Sequence, residues 1–97
     1  MTYRVVYTRR SQRDLEKIFA HIAQDSGEEE IARRLITRIL DACESLSRFP
    51  QRFVQYHRAP RWRMMPIGNY LVFFRTDDDA VLIGHIRHAA RTPFTSE

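Results

Sequence analysis

Two apolar runs, residues 70–76 and 80–87, dominate the second half of the chain, and three aspartates separate them. Both runs are rich in aromatic and β-branched residues, which favour strands, and the polar gap has the length of a tight connection. The pattern therefore predicts a β-hairpin. Because its strands are apolar on both sides, we expect other parts of the chain to cover both faces of the sheet.

Two amphipathic segments precede the hairpin, and each repeats apolar residues at helical spacing. The first is predicted to be a helix over residues 12–24, with Ser11 as its N-cap and with Gly27 in the turn that follows. The second is predicted to span residues 28–49, because Pro50 cannot continue a helix. The short connector between the two segments predicts an antiparallel helical hairpin.

Two further strands complete the predicted order of elements. Residues 3–8 are β-branched and aromatic, and residues 61–67 alternate ahead of a turn. The order β-α-α-β-β-β predicts an α+β fold, in which the helical hairpin packs on one face of a small, mainly antiparallel sheet. We expect residues 1–97 to form one domain, with residues 92–97 as a polar tail.

The balance of charges indicates an anionic partner. The formal net charge is +4 and the sequence pI is about 9.8, which favours a polyanion or an acidic protein. All sixteen basic residues are arginine except Lys17. Arginine offers a planar fork that suits carboxylate and phosphate, although a GC-rich genome would produce the same bias.

Neither a metal nor a cofactor is expected. Cys43 is the only cysteine, so an intramolecular disulfide and a cysteine-based zinc cluster are excluded. It lies on the apolar stripe of the second predicted helix, which indicates a buried side chain rather than a nucleophile. His85 and His88 are close in sequence, but their spacing on a strand places them on opposite faces. The sequence contains no Gly-rich phosphate loop.

The sequence gives no indication of a membrane partner. No segment resembles a signal peptide, and no apolar run approaches the ~20 residues that a membrane-spanning helix needs. No repeat, linker or low-complexity stretch is visible. We therefore expect a cytoplasmic protein.

Six short segments along the chain carry a family resemblance. They are YRVVYT at residues 3–8, S-x-x-D-L-x-x-I at 11–18, LSRFP at 46–50, R…P-x-G-x-Y at 61–70, YLVFFR at 70–75 and IGHIRHAAR at 83–91. In this order they resemble the ParE/RelE superfamily of bacterial toxin–antitoxin toxins, and the ParE branch in particular. The resemblance covers essentially the whole chain.

The resemblance to ParE implies the toxin of a type II toxin–antitoxin pair, which would bind DNA gyrase and poison it without catalysis of its own. The residues expected to bind the target are Arg61, Arg63, Arg87, His88 and Arg91. A ParD-like antitoxin would neutralise the toxin by folding a disordered segment over the helical hairpin and the sheet. The residues expected to bind the antitoxin are Leu15, Ile18, Phe19, Ile22, Phe49 and Phe53. Operator DNA would be bound only by the complex, through the antitoxin.

Two alternatives stay open on the sequence. RelE-like members cut mRNA on the ribosome, which requires a group that activates the 2′-OH, a cation and an acid. The residues that would supply this chemistry are Arg61, Arg63, His88 and Arg91. The chain lacks the lysine-rich strand and the terminal tyrosine of RelE-like members, and a histidine at a strand's end also serves as a structural hydrogen-bonding group.

The second alternative is a non-toxic member that only binds an antitoxin. It is motivated by differences from the family pattern. His85 and Ala89 stand where ParE-like sequences usually have arginine and glycine, and Thr92 replaces a common aspartate. Phe74 occupies a strand position that tyrosine often holds.

Overall fold

The order of elements agrees with the sequence prediction. The computed structural model describes residues 2–90, so Arg91 and the predicted tail at residues 92–97 lie outside the described residues. The elements are strand β1 (Arg4–Tyr7), helix α1 (Arg9–Ser26), helix α2 (Glu29–Glu44), two short 3₁₀ turns (Ser45–Ser47 and Pro50–Arg52) and strands β2 (Arg63–Ile67), β3 (Tyr70–Asp77) and β4 (Ala80–His88).

The four strands form one mixed sheet in the order β1-β4-β3-β2. β2 with β3 and β3 with β4 are antiparallel, and β1 lies parallel to β4. The predicted α+β fold with a mainly antiparallel sheet is therefore confirmed. β1 ends at Tyr7, opposite Ile83, whereas β4 continues to His88. Within residues 2–90, the last part of β4 therefore has no strand beside it on that edge.

Both faces of the sheet are covered, as the apolar hairpin predicts. The helices cover one face, where Ile39, Leu46 and Phe74 are fully buried. On the opposite face, residues between the second 3₁₀ turn and β2 form a second cluster with Phe73 of β3. Its buried members are Tyr56, Ala59, Trp62 and Phe73. Trp62 therefore packs on the sheet face that the helices leave open.

A bulge in β4 makes room for the Trp62 ring. The strand register shifts so that Phe73 pairs with His85 and Phe74 pairs with Ile83, which leaves Gly84 as the extra residue. A Cβ atom on Gly84 would lie 2.3 Å from Cη2 of Trp62. Glycine is required at this position because the indole ring lies directly against the backbone.

Helix α1 begins earlier than predicted and has a different cap. Thr8 is the N-cap, and its hydroxyl accepts a hydrogen bond from the Ser11 N–H at 3.2 Å. The prediction that Ser11 caps the helix is wrong, because Ser11 is fully buried inside the first turns and its hydroxyl donates to the Thr8 carbonyl. Gly27 ends the helix with a φ of 72°, which confirms the predicted left-handed turn residue.

Helix α2 is shorter than predicted, and so is β2. The α-helix ends at Glu44, Ser45–Ser47 form a 3₁₀ turn, and Phe49 then takes a left-handed conformation with a φ of 50°. Pro50 has no N–H to donate and restricts the residue before it, so the chain cannot continue as a helix through this corner. β2 begins at Arg63 because the Trp62 N–H bonds to the Ala59 carbonyl and closes a turn.

Candidate functional site

A polar groove lies between α1 and the last part of β4. Its volume is about 540 Å³. The residues that line it are Arg10, Asp14, Lys17, Ile18, His21, Tyr70, Ile86, Arg87, His88 and Ala90. Helical residues form one wall and the end of β4 forms the other. We call this feature the α1–β4 groove.

The early end of β1 creates this groove. Beyond Tyr7, no strand formed by the described residues accompanies β4, and α1 takes its place. The Asp14 carboxylate accepts a hydrogen bond from the Ile86 N–H at 3.0 Å, and it also pairs with Arg10 Nε at 3.2 Å. Its side chain is only 11% exposed. Asp14 therefore satisfies a β4 edge donor and fixes α1 to the sheet.

The groove carries an excess of positive charge. Among the described residues of the lining, Arg10, Lys17 and Arg87 contribute three cations, whereas Asp14 is the one carboxylate. The Asp14 carboxylate is already bound by Arg10 and by the Ile86 N–H. The groove is therefore suited to an anionic group of a partner.

The contacts of His88 indicate binding rather than proton abstraction. Its Nδ1 accepts a hydrogen bond from the Ala90 N–H at 3.1 Å, and its ring packs edge-on against Tyr70 with centroids 5.2 Å apart. A neutral imidazole with Nδ1 as acceptor carries its proton on Nε2. In this arrangement Nε2 is a hydrogen-bond donor, so His88 is oriented to donate to an anion and not to act as a general base.

The residues predicted to bind the target fall into separate places. Arg87 and His88 line the groove. Arg63 pairs with Phe74 of β3, and His88 pairs with Tyr70 of the same strand. The four residues between these two pairs correspond to about 13 Å along the strands. The Arg63 guanidinium donates to the Phe53 carbonyl at 2.7 Å. Arg61 is exposed ahead of β2, and Arg91 lies outside the described residues.

The residues predicted to bind the antitoxin differ in accessibility. Ile18 belongs to the core on the helix side of the sheet, and Leu15, Ile22 and Phe53 are half-buried against it. Phe19 is half-buried. Only Phe49 in this set is largely accessible, with 71% of its surface exposed.

The polar residues on the helical wall of the groove were not among the predicted site residues. The missed residues are Arg10, Asp14, Lys17 and His21. They recur at spacings of four, three and four residues, which places them on one side of a helix. This polar stripe was visible in the sequence, but its meaning depended on the pairing of β1 with β4.

Two other reactive groups are held in unreactive forms. Burial raises the pKa of the Cys43 thiol to about 12, so it remains protonated at neutral pH. Burial also raises the pKa of Tyr7, and its hydroxyl donates to Glu44 at 2.7 Å. Within residues 2–90, no group of three or more His, Cys, Asp or Glu side chains could hold a metal ion. In the same part of the chain, no helix is long and apolar enough to cross a membrane.

Two solved structures are similar to this chain. One is the chromosomal ParDE toxin–antitoxin system from P. aeruginosa, with a TM-score of 0.80 and 19% identity over 90% of this chain and 96% of the other. The second is the toxin–antitoxin complex RelBE2 from Mycobacterium tuberculosis, with a TM-score of 0.71 and 24% identity over 94% of this chain and 95% of the other. At these identities the likeness shows the fold.

A match along most of the sequence shows the family. No curated protein matches the chain. The family model for the ParE toxin of the type II toxin–antitoxin system parDE matches residues 5–93, which is nearly the full length. The chain therefore belongs to the ParE toxin family of type II toxin–antitoxin systems.

Proposed function

We propose that this ParE-family toxin binds DNA gyrase and poisons it, using the α1–β4 groove to hold an anionic group of its target. Family membership over residues 5–93 supports the toxin assignment. The observation that carries the proposal is the groove itself. Its cations Arg10, Lys17 and Arg87 surround an apolar floor of Ile18 and Ile86. A surface that combines charged and apolar side chains binds a partner through contacts alone, and it needs no catalytic group.

The geometry supports binding over RNA cleavage. An mRNA endonuclease of the RelE type needs its cations and its acid–base group around one phosphate. Arg63 lies about 13 Å along the sheet from the row of His88, and its guanidinium is engaged by the Phe53 carbonyl. Nδ1 of His88 accepts from the Ala90 N–H and Nε2 then carries the proton, so neither ring nitrogen is placed to activate a 2′-OH as a base.

The proposal includes a ParD-like antitoxin as the neutralising partner. The P. aeruginosa structure is of a ParDE system, and the M. tuberculosis structure is of a toxin–antitoxin complex. The net charge of +4 favours an acidic partner segment. That segment folds as it binds over the helical hairpin and the sheet, and the antitoxin supplies the contacts to operator DNA.

Induced expression without an antitoxin tests the proposal. The wild-type chain is expected to arrest growth, cause filamentation and induce a DNA-damage reporter. The variant Arg87→Glu is expected to be inactive, because it reverses a groove cation. Arg58→Glu, an exposed arginine outside the groove, serves as the matched control and is expected to stay toxic.

Two results would contradict gyrase poisoning, and a third would exclude only the groove. Arrest with collapsed translation and no DNA damage would favour mRNA cleavage. Normal growth with soluble, folded protein would favour a non-toxic antitoxin-binding member. Equal toxicity of Arg87→Glu and the wild-type chain would remove the groove from the mechanism.

A further inference from the structure

The corner between α2 and β2 carries an exposed aromatic side chain in an unfavourable backbone conformation. Phe49 has a φ of 50°, and 71% of its surface is exposed. A bulky residue at positive φ is a genuine outlier, because its Cβ is crowded by the backbone. The ring also stays in water, although it is apolar. Both features disfavour the free fold, and neither is compensated by burial of this side chain.

Several hydrogen bonds hold the backbone of the corner around Phe49 in place. The Arg52 guanidinium donates to the carbonyls of Arg48 at 2.6 Å and Phe49 at 3.1 Å, and it also donates to the Ser45 hydroxyl at 3.2 Å. Pro50 is fully buried. The exposed ring is therefore presented from a fixed backbone, so little conformational entropy is lost when a partner contacts it.

A second groove lies beside the ring. Its volume is about 530 Å³, and its lining is Thr2, Tyr3, Arg48, Phe49 and Gln51. The Gln51 amide donates to the Tyr3 hydroxyl at 3.0 Å, which joins the two sides. Apart from Arg48, the lining is uncharged. We call this feature the Phe49 corner.

The surrounding charge identifies the chemistry of a partner. Residues 45–63 contain five arginines and no acidic residue. A second copy of this chain in a two-fold contact would place like charges against each other, which is unfavourable. A nucleic-acid backbone needs several cations in a row. Among the described residues, Arg48 is the one arginine that lines the groove. The neighbouring Arg52 is engaged by the corner's own carbonyls.

We propose that the Phe49 corner is a preformed anchor for the antitoxin. It takes an extended acidic segment that places an apolar side chain against the Phe49 ring and a carboxylate on Arg48. The corner is distinct from the α1–β4 groove, since the two linings share no residue. The inference rests on the proposed antitoxin partner, and it assigns that partner a contact point separate from the target-binding groove.

The test is the affinity of the purified full chain for its cognate ParD-like antitoxin. Phe49→Gly removes the ring and relieves the positive φ, because glycine adopts this conformation readily. We expect its affinity to fall at least tenfold while its melting temperature stays the same or rises. Arg48→Glu is expected to weaken binding and to reduce its dependence on salt. Val54→Ala is the control, since Val54 is 63% exposed but does not line the groove.

The outcomes separate this inference from the proposed function. Tight binding by both the wild-type chain and Phe49→Gly would overturn the Phe49 anchor and leave the antitoxin partnership intact. No binding by the wild-type chain would overturn the partnership and the anchor together. Binding of a short DNA duplex that Phe49→Gly abolishes, with unchanged antitoxin affinity, would assign the corner to nucleic acid instead. In cells, the anchor predicts that Phe49→Gly stays toxic when the antitoxin is co-expressed.

Discussion

Replacing Gly84 with alanine tests how the bulge in β4 and the Trp62 ring depend on each other. The added Cβ would lie 2.3 Å from Cη2 and 2.4 Å from Cζ3 of Trp62. Carbon atoms in contact normally lie about 3.5–4.0 Å apart, so the ring must retreat by about 1 Å. Trp62 is only 5% exposed, and its backbone is bonded to Tyr56 and Ala59. The retreat therefore disturbs the whole second cluster.

The expected loss of stability follows from two opposing effects. Overpacking a close-packed site costs about 1–3 kcal/mol, and a displaced indole belongs at the upper end of that range. The lower entropy of the unfolded chain offsets about 0.4–1 kcal/mol when alanine replaces glycine. We expect a net loss of about 2 kcal/mol for Gly84→Ala. For a domain of this size, that lowers the melting temperature by about 8–16 °C.

Urea unfolding of a double-mutant cycle measures the effect. Trp62→Leu costs about 3 kcal/mol alone, but it removes the obstacle, so Gly84→Ala is then expected to cost almost nothing. Gly27→Ala is the matched control, because nothing lies within 4 Å of its added Cβ and only its φ of 72° matters. Its cost should be the same in both backgrounds. An equal cost of Gly84→Ala with and without Trp62 would refute the close packing.

Three further predictions concern single groups. Asp14→Ala is expected to lose about 1–3 kcal/mol because the buried Ile86 N–H loses its acceptor, whereas Asp14→Asn should lose less, and urea unfolding of the pair checks this. Cys43 should resist iodoacetamide in the native state, because burial raises its pKa to about 12, and modification should appear only in denaturant. Because the pKa of Tyr7 is raised in the folded state, its contribution to stability is complete below its unfolded pKa of about 10 and is lost as the pH rises further. Tyr7→Phe should therefore flatten the alkaline loss of stability in urea unfolding measured from pH 9 to 11.

The secondary-structure elements could be predicted from the sequence where the spacing of hydrophobic residues alone determines them. The helical hairpin, the apolar β3–β4 hairpin and the left-handed Gly27 follow from local pattern, and the structure confirms them. The site depended on long-range pairing. Asp14 lies in a segment that the sequence shows to be helical, but its position opposite Ile86 arises only because β1 pairs with β4 and stops at Tyr7.

The dependence on long-range pairing also explains why residues that were predicted to share one site lie apart in the structure. Arg63 and His88 look like parts of one cationic surface in the sequence, yet the register of β2, β3 and β4 sets them at different levels of the sheet. Phe49 was predicted to end a helix, but it takes a left-handed conformation in a corner where Arg52 donates to its carbonyl. No local periodicity encodes such contacts.

The most direct measurement is a cleavage assay with purified toxin, DNA gyrase and supercoiled plasmid. We expect the wild-type chain to trap broken DNA on gyrase, and we expect Arg87→Glu to trap much less while Arg58→Glu matches the wild-type chain. Unchanged gyrase activity at saturating toxin, together with mRNA cleavage in a ribosome-dependent reaction, would contradict the proposed mechanism.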